Sequence, residues 1–580
     1  MVGCLGVVMS AITDFGAKRL LPIVQRIAPR WAEEVKVNVA VRAEKGRRPH
    51  PFSLWTGVGT GPPPQGETAP NAKPLPPHAP AAMRPATPVA PAPFAPSSYV
   101  SWPSLADRRY TGRHLPPADA AYTDSLPPAE GIVRSVYLRQ SGQFTPCRST
   151  SALFCFFAQW FTDSFLRTDP IDRRRNTSNH EIDFCQIYGL DERTTFALRE
   201  RQGGRLRLEN NHLPRLTDAN GQVRPHFLDL SYIRSDTPPP AGQGPGDRLR
   251  AALGDSLAQA QQLPRWTRMY ASGLERGNST ILYTALSTLC VREHNRVAGE
   301  LQRRHPGWSD DQLFETARIV MVRNVLQIVV EDYINHLAGG FDFKLKRHFA
   351  EHQEWYRSNR ISLEFNLLYR WHSLVPETFS IDGKTYPHQE YRFNNALLEQ
   401  HGVERCVNAA STQHAGRIQL YNTPDFLWRA EIASLDMART FRLQPFVAYC
   451  ERFSRKPPDS IEELVGGDPR AAADLKRLYG SVDRIELPVG LIAQAREKGQ
   501  EDAVLPPLVR TMVAVDAFTH IFTNPLLADQ VHAAAFEGPS KDVGDLIQNT
   551  GGIAGLMVRT AAAGTTPRPS FSVRAKSPTD

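Results

Sequence analysis

Apolar residues recur at helical spacing through most of the chain beyond residue 150, and this pattern predicts a mainly α fold. The stretch Ser151 to Arg167, SALFCFFAQWFTDSFLR, is apolar nearly all round, as a helix enclosed by protein is. Its conspicuous polar members, Gln159 and Asp163, lie four residues apart and so share one face. A second helix is predicted over Thr280 to His305, with Arg292 and Arg296 on one face. A third begins at Ser309, where Ser309 and Gln312 can form a capping box. It runs through Leu313, Phe314, Val320, Val325, Ile328 and Val329 to about Leu337, a length of about 40 Å. Its charges Glu315, Arg318 and Arg323 exclude a membrane span. Further helices are expected over Ile361 to Leu374, Phe426 to Arg442 and Leu475 to Tyr479. Strand-like alternation is scarce, and there is no internal repeat.

The amino-terminal part reads differently. Ile12, Phe15, Leu20, Ile23, Val24 and Ile27 recur at helical spacing with Lys18, Arg19 and Arg26 among them. A helix lying on a membrane surface has this pattern, and so does one packed on the core. Gly61 to Ser97 is rich in Pro, without apolar periodicity, and reads as an extended or disordered linker. The expected organisation is therefore an amphipathic segment over 1–60, a Pro-rich linker over 61–97, one large helical domain over 98–560 and a disordered tail over 561–580. No apolar run reaches the length of a spanning helix. The first twelve residues lack the basic flank of an export signal, so a cytoplasmic protein is expected, peripheral on a membrane where its amphipathic helix binds one.

Composition narrows the chemistry. The 580 residues carry 47 Pro and a net charge of +8, the charge coming largely from dispersed Arg. There is no basic stripe interleaved with exposed aromatics and no nucleic-acid module, so no nucleic-acid partner is expected. Cys4, Cys147, Cys155, Cys185, Cys290, Cys406 and Cys450 are odd in number and never spaced C-x-x-C. That pattern indicates neither a zinc site nor a disulfide framework, and it suits a reducing compartment.

The most informative segment is EFNLLYRWH, Glu364 to His372. On a helix Tyr369 and His372 would be neighbours on one face. An imidazole can ligate haem iron, and a phenol beside the same macrocycle can be oxidised to a radical that removes hydrogen from an activated C–H bond. Y-x-x-H alone is a weak signal, because a core Tyr and His with local hydrogen bonds produce it as well.

The longer string EFNLLYRWHSLVPETF resembles the signature of the prostaglandin-endoperoxide synthases, or cyclooxygenases, within the animal haem peroxidase superfamily. FFAQWFTDSFLRTDP, EIDFCQIYG, REHNRVAGEL, HPGWSDDQLFETARIV, IVVEDYINHLAG, QHAGR (Gln413 to Arg417), YCERFSRKPPDSIEELVG and GDLIQNTGGIAGLM resemble further family segments in the same order, spanning roughly 97 to 560. The resemblance implies a haem-peroxidase-like helical domain with haem b as cofactor, His372 as its proximal iron ligand and Tyr369 as the radical-forming residue. It makes Tyr333 the tyrosine that orients Tyr369, places Gln159 on the distal, peroxide-binding side, and assigns Phe365, Leu368 and Trp371 to a fatty-acid channel. The Arg292 to Arg296 segment is implied to be scaffolding. Polyunsaturated fatty acid and O2 are the implied substrates, and a homodimer with peripheral membrane contact is the implied assembly.

The departures from the family pattern are as informative. Asp163 stands where the family has its distal histidine, and with a solution pKa near 3.9 an Asp is a poor base for peroxide cleavage unless burial raises it. Gly340 stands at the family's channel-mouth tyrosine, the counterpart of its carboxylate-binding arginine is Arg30 with Arg26 as the alternative, and Ala517 falls near the family's channel serine in a shortened segment, Met512 to Pro525. The growth-factor-like disulfide module is replaced by the Pro-rich linker. The expected function is a haem-dependent fatty-acid dioxygenase with doubtful peroxidase turnover. Its alternatives are a haem- or lipid-binding member that has lost turnover and a plain haem peroxidase.

Overall fold

A computed structural model describes residues 29–43, 109–234 and 263–575, except 141–142, 170–172, 179, 340–341, 348, 357–359, 548–550, 563 and 566. The amphipathic segment at 12–27, the linker at 61–97 and Gly340 lie outside the described residues.

The helices that frame the site are α1 (Pro29–Val41), α2 (Ala152–Thr162), α3 (Ile281–Arg304), α4 (Asp310–Ile328), α5 (Leu363–Leu368), α6 (Val403–Ser411), α7 (Trp428–Thr440), α8 (Pro507–Phe522) and α9 (Gly552–Thr560). Helix α3 is central and packs on α2, α4, α6 and α9. Every residue from Ile281 to Val291 is buried, which is why its polar members there are Ser and Thr; Thr284 and Thr288 donate their hydroxyls to carbonyls one turn back. Helix α2 is buried at every residue except Gln159 and Thr162, so Gln159 is a polar side chain on an otherwise enclosed element. The capping box at Ser309 and Gln312 is present, with both reciprocal bonds made.

Two expected helices are interrupted, both at the site. The run expected to continue from Ser309 to Leu337 is α-helical only to Ile328; Val329–Ile334 is a π turn, followed by Asn335–Ala338 and a left-handed Gly339. A π turn inserts one residue into the spiral and re-aims the side chains it carries. The helix expected over Ile361 to Leu374 stops at Leu368. Tyr369 has φ −93° and ψ 19°, and a 3-10 turn begins at His372. Bonds of the tighter i→i+3 type, from Arg370 N to Leu367 O (3.2 Å) and from Val375 N to His372 O (3.1 Å), replace the helical ladder ahead of Pro376. Tyr369 and His372 are therefore not neighbours on one helix face.

Strand content is small, as expected. Thr378–Ile381 (β2) and Lys384–Pro387 (β3) form a hairpin whose Asp382 and Gly383 both take positive φ, the geometry of a two-residue Asp-Gly turn. Pro146–Ser151 (β1) pairs antiparallel with His414–Gly416 (β4). An added Cβ at Gly416 would sit 1.9 Å from Ser373 O, so the QHAGR glycine allows β4 to lie against the turn that carries His372.

The expectation of a disordered tail fails for residues 567–575. Ser151 N donates to Phe571 O (2.8 Å), Ser570 N to Ser411 Oγ (3.0 Å) and Arg568 N to Asn408 Oδ1 (2.7 Å). Phe571 is 6% exposed and packs on Phe157 (4.9 Å between centroids), Phe154 (5.8 Å) and Tyr333 (6.3 Å). One apolar side chain in a gap of the core outweighs the Pro- and Ser-rich character of its neighbours. The six described cysteines are free and buried. No described helix is long and apolar enough to cross a membrane.

Candidate active site

Two side chains distant in sequence, Glu431 and Thr423, stand behind His372. Glu431, on α7, places Oε2 3.1 Å from His372 Nδ1, off the hydrogen-bond direction. Thr423 donates to the other oxygen of Glu431 (2.9 Å) and fixes the carboxylate. The His372 ring is 18% exposed while its Nδ1 is buried, so the accessible part of the ring is the rest of it, which carries Nε2. Arg370 Nε, Trp371 Nε1 and His372 Nδ1 are all buried without a hydrogen-bond partner. His372 Nδ1 faces Glu431, which leaves Arg370 Nε and Trp371 Nε1 as buried polar atoms with no neighbour to bond in the protein, of the kind a further group can satisfy. Burial pushes the Arg370 guanidinium down to about 10; Arg276 adds to this, and Glu431 and Asp163 oppose it, so Arg370 lies within electrostatic reach of both carboxylates.

Around Asp163, Tyr283 donates its hydroxyl to Oδ2 (3.0 Å) and Arg276 lies 3.5 Å from Oδ1. Asp163 caps the carboxyl end of α2, its N–H bonded to Gln159 O (3.4 Å), and Gln159 Nε2 donates to Ser279 Oγ (3.4 Å). Burial raises the Asp163 carboxyl above its ordinary value, opposed by Arg276 and Arg167. This is the direction a proton-transferring Asp needs.

Tyr369 faces a second space. A small apolar cavity of about 10 Å³ is lined by Phe161, Phe165, Ile182, Val329, Tyr333, Ile334, Phe365, Tyr369, Ala517, His520 and Ile521. The π turn delivers Val329, Tyr333 and Ile334 to it, and α8 delivers Ala517, His520 and Ile521. Tyr369 is held by rings, with Trp371 at 4.7 Å, Phe365 at 5.1 Å and Phe165 at 6.4 Å between centroids. The Tyr333 and Tyr369 phenols interact directly, yet the buried Tyr333 hydroxyl has no hydrogen bond of normal geometry. Burial pushes both phenols well above the usual pKa, so both stay protonated.

Of the sequence-derived candidates, the structure brings Tyr369, Tyr333, Phe365 and Ala517 to one cavity, and Gln159 and Asp163 to one helix end. Leu368 and Trp371 are buried but do not line that cavity, and Trp371 packs on the lining residue Tyr369. Arg30 lies on α1 with its side chain outside the described residues. Lys36 on the same helix is buried, its Nζ 2.9 Å from Glu33 Oε1 and 2.6 Å from Asp342 O. Sequence reasoning missed Glu431, Arg276 and His520. Only His520 left a signal, three residues after Ala517 on one helical face. Arg292 is paired with Glu404 (2.8 Å), while Arg296 and Arg559 share the buried Glu293 (2.7 and 2.8 Å), the arrangement of a scaffold.

Comparison with known proteins fixes the class. Residues 162–521 match the animal haem peroxidase family, and the chain belongs to that family. It is similar to prostaglandin G/H synthase 2 of Bos taurus, at 32% identity over 82% of this chain and 74% of the relative. Prostaglandin G/H synthase 1 of Mus musculus matches at 30% identity over 82% and 74%. Among solved structures, Oryza sativa fatty acid alpha-dioxygenase shares the fold (TM-score 0.62, 15% identity, 98% of each chain), as does peroxidase A of Dictyostelium discoideum (TM-score 0.60, 17% identity, 80% of this chain and 95% of that one). Haem is thus the cofactor of this chain, a haem-dependent oxidoreductase, and the accessible edge of His372 together with the adjacent orphaned atoms fits such a group.

Proposed function

We propose that the chain is a haem b dioxygenase of polyunsaturated fatty acids. His372 ligates the iron, with Glu431 behind it as the carboxylate that orients and enriches a ligating imidazole. Bound haem supplies the oxidising equivalent that turns the Tyr369 phenol into a phenoxyl radical. The observation that carries this proposal is the position of Tyr369, three residues from the accessible His372 and itself a wall of an apolar cavity. The lining of that cavity is mostly hydrocarbon, the surface a fatty-acid chain needs once the cavity widens to admit it, and the Tyr369 phenol is part of that surface. Tyr369 takes a bis-allylic hydrogen atom, and O2 adds to the carbon radical left behind. The names of the relatives, prostaglandin G/H synthases and fatty acid alpha-dioxygenases, support the substrate class. Arg30 on α1, with Arg26 as the alternative, is the cation that the resemblance assigns to the substrate carboxylate. A homodimer in peripheral contact with a membrane belongs to the same proposal and rests on the resemblance.

A member without turnover, binding haem or lipid, has one observation in its favour: Asp163 is already engaged by Tyr283 and Arg276. Oxygen uptake by the haem-loaded chain, given linoleic or arachidonic acid with a trace of lipid hydroperoxide, separates the two. Sustained uptake supports the dioxygenase. Haem binding without uptake leaves the non-catalytic alternative.

A further inference from the structure

An open cleft of about 480 Å³ shares no lining residue with the Tyr369 cavity and takes no part in the proposed chemistry. Its volume is that of a small-molecule site, roughly 300–1,000 Å³. Four guanidiniums line it: Arg292 and Arg296 from α3, Arg559 from α9 and Arg205 from the turn between the bridged Arg199 and Leu206. Carboxylates behind the wall hold three of them. Arg292 Nη1 donates to Glu404 Oε1 (2.8 Å) and Thr560 O (3.3 Å), and its Nε donates to Asn211 O (2.8 Å). Arg296 meets the buried Glu293 with both Nε (2.7 Å) and Nη2 (3.0 Å), and Arg559 Nε donates to the same carboxylate (2.8 Å). Neither Glu293 nor Glu404 lines the cleft. These bonds use part of each fork: Arg292 Nη2 and Arg296 Nη1 are neither bonded to a described residue nor buried. Arg205 makes no side-chain hydrogen bond or ion pair with any described residue. A Cβ added at Gly299 would lie 3.8 Å from Arg205 Nη2, so this guanidinium rests against α3 about one turn beyond Arg296.

Holding the helices together requires the buried pairs, but it does not require unused guanidinium donors on one open space. A guanidinium already fixed by a carboxylate loses little freedom on binding, and its planar fork matches the oxygens of an anion. The one carboxylate among the lining residues, Glu200, stands across the turn from Arg205, its N–H bonded to Arg205 O (2.8 Å). An occupant must therefore outweigh one negative charge as well as satisfy several donor groups. A carboxylate has one charge and two oxygens, whereas a phosphate monoester carries about −1.5 to −2 at pH 7 and three strong acceptor oxygens. Leu208, Ala561 and Ala562 add an apolar part to the wall, suited to an organic group. We propose that this cleft binds a phosphate monoester, its terminal oxygens taking the open donors of Arg205, Arg292 and Arg296. The same dianion is presented by a soluble phosphate ester and by the headgroup of phosphatidic acid. The site binds its ligand without breaking a bond in it, and it is independent of the oxygenation chemistry.

The test is calorimetric titration of the haem-loaded full chain with phenyl phosphate, beside co-sedimentation with phosphatidylcholine vesicles that contain phosphatidic acid. Arg205→Gln, Arg205→Lys and Glu200→Gln are compared with wild type, each first checked for its Soret band and melting temperature. Arg205 and Glu200 are exposed, so these variants leave the buried pairs intact. Saturable binding of phenyl phosphate is expected, weakened roughly ten-fold or more in Arg205→Gln, the worth of a hydrogen bond to a charged group. Arg205→Lys, which keeps the charge and loses the fork, should fall between, and Glu200→Gln should bind more tightly than wild type. Binding confined to the phosphatidic acid vesicles, with the same response to the three variants, supports the site with a lipid headgroup as its source. Three results overturn it: no binding of either probe, binding indifferent to Arg205→Gln and Glu200→Gln, or equal affinity for benzoate and for phosphatidylglycerol vesicles of the same charge.

Discussion

Glu431 Oε2 lies 3.1 Å from Nδ1 of His372, and the other oxygen of the same carboxylate is held by Thr423 at 2.9 Å. The pair joins α7 to the turn after α5 and points the accessible edge of the imidazole away from the carboxylate. Partners of this kind are worth roughly 10–100-fold in the affinity of a ligated centre. Glu431→Gln is expected to weaken haem binding by that order and to shift the Soret band, measured by haem titration of the apoprotein. Affinity and spectrum equal to wild type would show that Glu431 does not support the ligand.

Asp163 is raised above its ordinary value by burial but restrained by Tyr283 and Arg276. A residue with a pKa near neutrality is better matched to moving a proton between peroxide oxygens. Asp163→His should therefore speed reduction of hydrogen peroxide by roughly 10²-fold in stopped-flow measurements. An unchanged rate would place Asp163 away from the peroxide.

Phe571 docks the carboxyl-terminal tail onto Phe157, Phe154 and Tyr333. Phe571→Ala should cost about 3–5 kcal/mol in urea unfolding, the usual cost of truncating an enclosed Phe. A cost below about 1 kcal/mol would mean that the tail does not seal the core.

His294 supplies a pH dependence of known sign. Its Nε2 donates to Gly204 O (2.9 Å) and its Nδ1 accepts from the Tyr188 hydroxyl (3.0 Å), which fixes the neutral tautomer. Burial pushes it from 6.5 down to about 4. The unfolded chain thus takes up the proton first, and the stability due to neutral His294 is complete above pH 6.5 and lost as pH falls through about 4. At about 1.4 kcal/mol per unit this amounts to roughly 3 kcal/mol, and His294→Gln should flatten the fall in unfolding free energy between pH 7 and 4 by that order. Equal slopes for the two proteins would contradict it.

The helical class, the cap at Ser309, the start of a helix near Thr280 and the enclosed nature of α2 are legible in the sequence because each depends on spacing along one segment. What spacing could not give is how a periodic run is interrupted. The apolar pattern through Val329 and Tyr333 reads the same for an α or a π turn, yet only the π turn is observed, and it supplies Tyr333 to the cavity. Likewise the i, i+3 relation of Tyr369 and His372 suggested one helix face, whereas the chain changes course at Tyr369 so that its ring and the imidazole serve different spaces. Glu431 and Arg276 are distant in sequence from the residues they serve, and no local pattern marks them. Phe571 was hidden by polar neighbours that favour a loop, because a single buried ring leaves no period.

The most direct test of the central claim compares oxygen uptake by wild type and Tyr369→Phe, both loaded with haem and given a polyunsaturated fatty acid and a trace of hydroperoxide. A Soret band retained in Tyr369→Phe with uptake abolished is the predicted result. Uptake persisting in Tyr369→Phe at a rate comparable to wild type would contradict the radical role of Tyr369 and with it the proposed mechanism.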